Sequence, residues 1–287
     1  MDWSRAKSIL IVLFLLANVV LGYQLLSNMR GTDGVAYVMG EDPETPLSEK
    51  LAEVGVSLDT DLPEETPRLY RLRVTPADVN LEPMRSALFG TGSVESILVG
   101  GEVAGYRSDE GLLIAGAPGA VRYRSDTAQT GERVSEDRAR RLAESFLEPP
   151  SLRPSGMVFD HAHPSSDGEN FIVNYRQEYR GRPLFGGGIL LQVDSSGVRE
   201  YQRLWYEVRG SVGSASQVLS ASAAITANLT RIGQLAPEGE LVEVLLGYYA
   251  GMSEEEDWEI EPAWRLRFES GTVIIVNAFT GAVEWPL

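Results

Sequence analysis

The 287-residue chain contains no cysteine and only two histidines. The missing cysteine removes disulfides, thiolate metal sites and a cysteine nucleophile. It also removes a lipoprotein anchor, which needs a cysteine at the mature N-terminus. Positive charge is scarce: 25 Lys and Arg stand against 41 Asp and Glu, a formal charge of −16. No nucleic-acid partner is expected, because phosphate binding needs clustered cations. The short motifs of common chemistry are missing too, with no P-loop, G-x-G-x-x-G, H-E-x-x-H or G-x-S-x-G. What is present is enough apolar material for a core, 43% of residues, with 29 Gly and 15 Pro that predict many turns and short elements. The length suits one large domain or two modest ones.

One long apolar run stands out at residues 9–26, ILIVLFLLANVVLGYQLL. As a helix it spans about 27 Å, enough for a bilayer core. Arg5 and Lys7 precede it, whereas Asp33, Glu41, Asp42 and Glu44 follow Arg30. The expected orientation is N-terminus in the cytoplasm and bulk of the chain outside, a single-pass protein of the cell membrane. No small-x-small cleavage site follows the run, which favours a retained anchor over a signal peptide. Asn18 lies mid-membrane, with Gly22 one turn on and Phe14 and Ile11 one and two turns back. A small residue beside an amide is what helices use to associate in lipid, so this face is the expected partner-binding site. A tolerated Asn in a plain anchor is the alternative.

The remaining chain divides by pattern. Residues 1–8 form a cytoplasmic stub and 9–26 the anchor. Residues 27–67 are a linker passing into a Pro- and acid-rich segment. Residues 68–130 alternate at period two in several short stretches, predicting a strand-rich subdomain. In residues 131–210 Ser135 opens a helix with Ala139, Leu142, Ala143, Phe146 and Leu147 on one face, and three strands follow. In residues 211–287 Ser220 opens a second helix running to about Ile232, followed by antiparallel strands. The expected class is α+β, with a helix laid across each antiparallel sheet.

Candidate chemistry is sparse. Asp160-His161-Ala162-His163 could ligate zinc or copper, but the expected loop setting beside Pro164 favours a solvated turn. Gly186-Gly187-Gly188 sits in a strand pattern with no helix after it, which points to a bulge or close backbone approach. Glu254-Glu255-Glu256-Asp257 reads as a solvated acidic loop. Alternation places the aromatics Tyr248, Tyr249, Trp258, Trp264 and Trp285 in the core. No nucleophile stands with a base, so a non-enzymatic protein without cofactor or metal is expected.

The N-terminal stretch Met1-Asp2-Trp3-Ser4-Arg5-Ala6-Lys7-Ser8-Ile9-Leu10, running on through Leu16-Ala17-Asn18 to Tyr23-Gln24-Leu25-Leu26, resembles the start of the YycI family. The closing Trp264-Arg265-Leu266-Arg267-Phe268 and Val276-Asn277-Ala278-Phe279-Thr280-Gly281-Ala282-Val283-Glu284 is similar to the hairpin of PepSY-like domains. The resemblance implies a membrane-anchored regulator encoded with the YycFG (WalRK) two-component system of Gram-positive bacteria. It would act with a YycH-like partner on the sensor histidine kinase WalK, partly through transmembrane contacts and without catalysis. The sheets would then be PepSY-like units. The competing expectation is a PepSY-like extracytoplasmic module that binds or inhibits a cell-wall hydrolase or peptidase.

Overall fold

A computed structural model describes residues 46–127, 133–165, 168–251, 253 and 255–285. The expected anchor, with Ile11, Phe14, Asn18 and Gly22, lies outside the described residues. Among the described residues no helix is long and apolar enough to cross a membrane.

The chain opens with α1 (Leu47–Glu53), β1 (Ser57–Leu58) and β2 (Arg68–Pro76), then α2 (Leu81–Phe89). Four strands follow as a meander: β3 (Glu95–Val99), β4 (Glu102–Ser108), β5 (Gly111–Ala115) and β6 (Ala120–Ser125). Next come α3 (Glu136–Phe146), β7 (Met157–Pro164), β8 (Phe171–Tyr179), β9 (Arg182–Asp194), β10 (Gly197–Leu204) and β11 (Tyr206–Gln217). The last cycle holds α4 (Ala221–Thr226), α5 (Leu229–Leu235), β12 (Glu240–Tyr249), β13 (Trp258–Ile260), β14 (Pro262–Phe268), β15 (Val273–Asn277) and β16 (Val283–Trp285).

The strands expected as separate antiparallel sheets form one large mixed sheet. Its main path runs β16-β15-β14-β12-β9-β10-β6-β5-β4-β3, with β7 and β8 branching from β9 and β1 lying parallel to β12. The two halves meet where β9 and β12 pair in parallel at only two positions, Leu184 with Tyr248 and Phe185 with Tyr249. A second, three-stranded sheet, β11-β2-β13, lies over this junction. Leu72, Val74, Leu184, Tyr206, Tyr248 and Ile260 are buried between them.

Each half carries its own core on the same face as that small sheet. In the first, Ala139, Ala143 and Leu147 bring α3 onto Val173, Tyr175, Leu191 and Tyr201. Alanine at two of those positions lets the helix backbone approach the sheet closely. In the second, α1, α4 and α5 pack through Leu51, Ile225 and Ile232 onto Leu246, Trp264, Leu266, Phe268 and Ile274. Trp264 is fully buried, and its indole N–H donates to the Leu219 carbonyl at 3.0 Å.

Local details depart from expectation. Ser220 caps its helix by accepting from the Ala223 amide, whereas Ser135 stands at its helix start without a capping bond. The expected single helix to Ile232 breaks at Asn228, whose side-chain amide donates to the Ala224 and Gly281 carbonyls, both at 2.8 Å. That tie to a distant turn ends α4 and starts α5. Helix α2 was not foreseen: Asn80 caps it through the Glu82 amide, and Leu81, Met84 and Phe89 bury its inner face.

The glycine run is a bulge. Between β8 and β9 the register jumps from Arg176–Gly188 to Gln177–Leu184, so Phe185, Gly186 and Gly187 have no partner on β8. Gly186 has φ +90, and a Cβ there would lie 2.1 Å from the Ala250 carbonyl oxygen. Gly181, in the β8–β9 turn, has φ +77 but open space around it. Gly181→Ala should therefore cost about 1 kcal/mol, from backbone strain alone. Gly186→Ala should cost about 3 kcal/mol, since strain and overlap with a main-chain atom add. Urea unfolding of the full chain checks this; equal midpoints for the two variants would refute the packing role of Gly186.

Candidate functional site

The polar groups of greatest interest gather where the halves of the sheet meet, on the face opposite the helices. Strand β7 supplies Asp160. On its inner side Phe159 packs edge-on to Tyr175, with the Arg140 guanidinium 4.1 Å from its ring centre. The ladder then slips: Phe159 pairs with Tyr175, but His161 pairs with Asn174. Asp160 is the extra residue of this bulge, a device that re-aims a side chain.

Asp160 is 6% exposed at its side chain and gathers three cationic or donor groups. Arg265 on β14 reaches it with both terminal nitrogens, at 2.7 and 2.8 Å. Arg176 on β8 donates at 3.0 Å, and His161 Nδ1 stands 3.1 Å away. Arg265 also donates to Glu243 on β12 at 2.6 Å, its guanidinium lying over the Phe185 ring at 5.0 Å. Arg267 reaches the same Glu243 oxygen at 3.4 Å, and Arg176 is held by Glu178 at 2.9 Å. The bidentate Asp160–Arg265 pair bridges 105 residues of sequence and joins the first half of the sheet to the second.

Burial opposes ionisation of Asp160, but hydrogen bonds from His161 and Arg265 and the guanidinium charge outweigh it, holding the carboxyl well below the usual carboxylate range. Burial likewise disfavours the Arg265 cation, and Asp160 and Glu243 reverse that, raising its pKa. Burial, with His161 and Arg267 nearby, lowers His163. A carboxylate so strongly ionised and so fully engaged is a poor proton acceptor. The arrangement can fix two sheet halves in register; it does not leave Asp160 free for acid–base work.

The two histidines stand on β7, not on the expected loop. His161 is flanked by Asp160 and by the Asn174 amide at 3.3 Å, and its ring stacks on His163 at 5.4 Å. Among the described residues no cluster of three or more His, Cys, Asp or Glu is placed to hold a metal ion. Of the aromatics, Tyr248 and Trp264 are core residues as expected, Tyr249 and Trp258 are half-buried, and Trp285 is 50% exposed. Beside the ion-pair network opens a cleft of about 720 Å³. Its walls include Ile114, Phe185, Leu204, Tyr249, Ile275 and Trp285.

Sequence reading did not find the Asp160–Arg265 pair. The usable signal was an arginine on a strand whose neighbours, Trp264 and Leu266, are core residues; alternation gives its face but not its partner.

These observations define a mixed α+β protein whose buried charges serve assembly. The chain matches the YycI protein family over residues 40–279, and it belongs to that family. Membership implies a regulator of the YycFG two-component system, in a family whose members are membrane-anchored and non-enzymatic. No curated protein matches the chain. Among solved structures it is similar to an uncharacterized protein from Eubacterium rectale, at 11% identity over 81% of this chain and 91% of that one, with a TM-score of 0.54. It is also similar to the Bacillus megaterium YpeB C-terminal domain, at 12% identity over 71% and 92% of the two chains, with a TM-score of 0.41. The first likeness is one of fold.

Because the folded Asp160 carboxyl titrates below its unfolded counterpart, near 3.9, the unfolded chain takes up the proton first as pH falls. The pair's contribution is therefore complete above about pH 5 and is lost as pH falls below about 4. Asp160→Asn should cost about 3 kcal/mol at pH 7, since it leaves Arg265 buried and Arg176 half-buried beside a neutral group. Urea unfolding from pH 7 to pH 3 should show the gap to the parent chain constant at first and narrowing in acid. A gap that widens in acid would sink this account.

Proposed function

We propose that this chain is a non-enzymatic regulator of a WalK-like sensor histidine kinase. It acts with a YycH-like partner through transmembrane and extracytoplasmic contacts. The observation that carries this reading is the family match over residues 40–279. The basic start, the uncharged run at residues 9–26 and the acidic residues after it support a single-pass anchor with its N-terminus in the cytoplasm. On this reading the two helix-backed sheet halves are PepSY-like units displayed outside the membrane. The face Ile11, Phe14, Asn18 and Gly22 is the helix contact, with Gly22 allowing close approach and Asn18 supplying the interhelical hydrogen bond.

The test is a membrane pull-down of the full chain beside one whose residues 1–30 are replaced by an unrelated anchor. Capture of a histidine kinase by the native chain and its loss with the foreign anchor is the expected result. Capture by both would keep the regulator but move the contact to the outer region. Capture by neither would overturn the regulator and favour a module that binds a cell-wall hydrolase or peptidase. Within the native anchor, Asn18→Leu should reduce kinase recovery severalfold, in line with the roughly 1 kcal/mol of an interhelical hydrogen bond in lipid; unchanged recovery would remove Asn18 from the contact.

A further inference from the structure

The cleft beside the ion-pair network is not used by the assembly role assigned to Asp160 and Arg265. It lies on the sheet face away from the helices, at the point where β9 leaves one half of the sheet for the other. Its volume of about 720 Å³ falls in the range that takes drug- or peptide-sized ligands. Three features define what fits. The walls are apolar, with Ile114, Leu190 and Leu204 on one side and Phe185 and Ile275 on the other.

The second feature is charge. Arg122, Arg176, Arg203 and Arg265 line the cleft, and Asp160 is the single carboxylate that does so. Asp160 pairs with Arg176 and Arg265, and the further carboxylates that hold Arg122, Arg176 and Arg265, namely Glu200, Glu178 and Glu243, are not part of the lining. Arg122 is 57% exposed and holds Glu200 through Nε at 2.6 Å, which leaves its terminal N–H groups as donors. Deeper in, Arg265 is 8% exposed at its side chain, and its Nε is buried without a hydrogen-bond partner. In a chain of charge −16 this is a local cationic recess. The third feature is main chain: Gly186 and Gly187 line the cleft and have no partner on β8, so an extended ligand there meets backbone with no side chain in between.

We propose that this cleft binds an extended acidic peptide, its carboxylate on the terminal N–H groups of Arg122 and its apolar side chains on Ile114, Leu204 and Ile275. This goes beyond the regulator reading and is independent of it, since binding is read on the purified chain with no kinase present.

The test is calorimetric titration of the full chain in nanodiscs, with empty nanodiscs as blank. The probes are acetyl-Val-Leu-Glu-Leu-Val-amide, the same peptide with Gln for Glu, and octanoate. The expected result is saturable binding of the Glu peptide, about tenfold tighter than the Gln peptide, as for one charge-assisted hydrogen-bonded contact. Arg122→Gln, at an exposed position, should abolish that preference. Ile114→Glu, which sets a like charge on the cleft wall, should weaken the Glu peptide more than the Gln peptide. No binding of the Glu peptide at millimolar concentration would overturn the proposal, as would a preference that survives Arg122→Gln. Octanoate binding as tightly as the peptide would overturn the assignment of a peptide.

Discussion

The Asp160–Arg265 pair is the constraint on which the arrangement of the two sheet halves depends. Backbone pairing alone joins them at two residue pairs between β9 and β12. Two such rungs hold adjacent strands but do little to set the angle between sheets that each extend for several strands. The bidentate pair adds a directional tie across that seam, because a planar guanidinium meets a carboxylate in one geometry. Glu243 and Arg176 then fix each partner from its own side. On the opposite face the three-stranded sheet fills the same seam with apolar contacts. The junction is thus polar on one face and apolar on the other, and the cleft lies on the polar face.

The glycines supply the other half of this geometry. A strand that changes partners must turn out of one ladder before entering the next. Gly186 does so at φ +90, pressed against the Ala250 carbonyl, and Gly187 faces the Leu204 carbonyl and the Tyr206 ring with no room for a side chain. Gln177 repairs the break in the ladder: its amide donates to the Tyr206 carbonyl at 2.6 Å and accepts from the Tyr206 amide. The bulge, the buried glutamine and the ion pair are parts of one solution to joining two curled sheets.

Much of the local structure was legible. The face of α3 was written in Ala139, Ala143 and Leu147, and the period-two alternation after residue 68 marked the strand-rich stretch that β2 to β6 occupy. The glycine run was readable as a bulge because no helix or lysine followed it. What escaped depends on distant residues. The break at Asn228 is made by Gly281, which lies 53 positions on. Strand β7 looked like a polar loop because His161, His163 and Asp160 occupy it, and their polarity makes sense only once Arg176 and Arg265 stand opposite. Helix α2 is short and carries Pro83 in its first turn, so its periodicity was weak although Asn80 gave a usable cap.

A buried ion pair is seldom the cheapest way to hold two surfaces together, since desolvating both charges offsets most of their attraction. An apolar pair in place of Asp160 and Arg265 would join the seam with similar stability but would tolerate sliding, because dispersion contacts have little directional preference. The charges forbid that: moving either group strands a buried charge. The same logic explains Glu243, which accepts from Arg265, His161, which stands against Asp160, and Glu178, which holds the Arg176 that also reaches Asp160. For a member of a family that regulates the YycFG two-component system, and whose described region holds its buried charges in structural bonds, fixing the relative orientation of the two sheet halves has a consequence of its own. A sheet that could shear at its seam would absorb a displacement instead of transmitting it, and the ion-pair network is placed where that shear would occur.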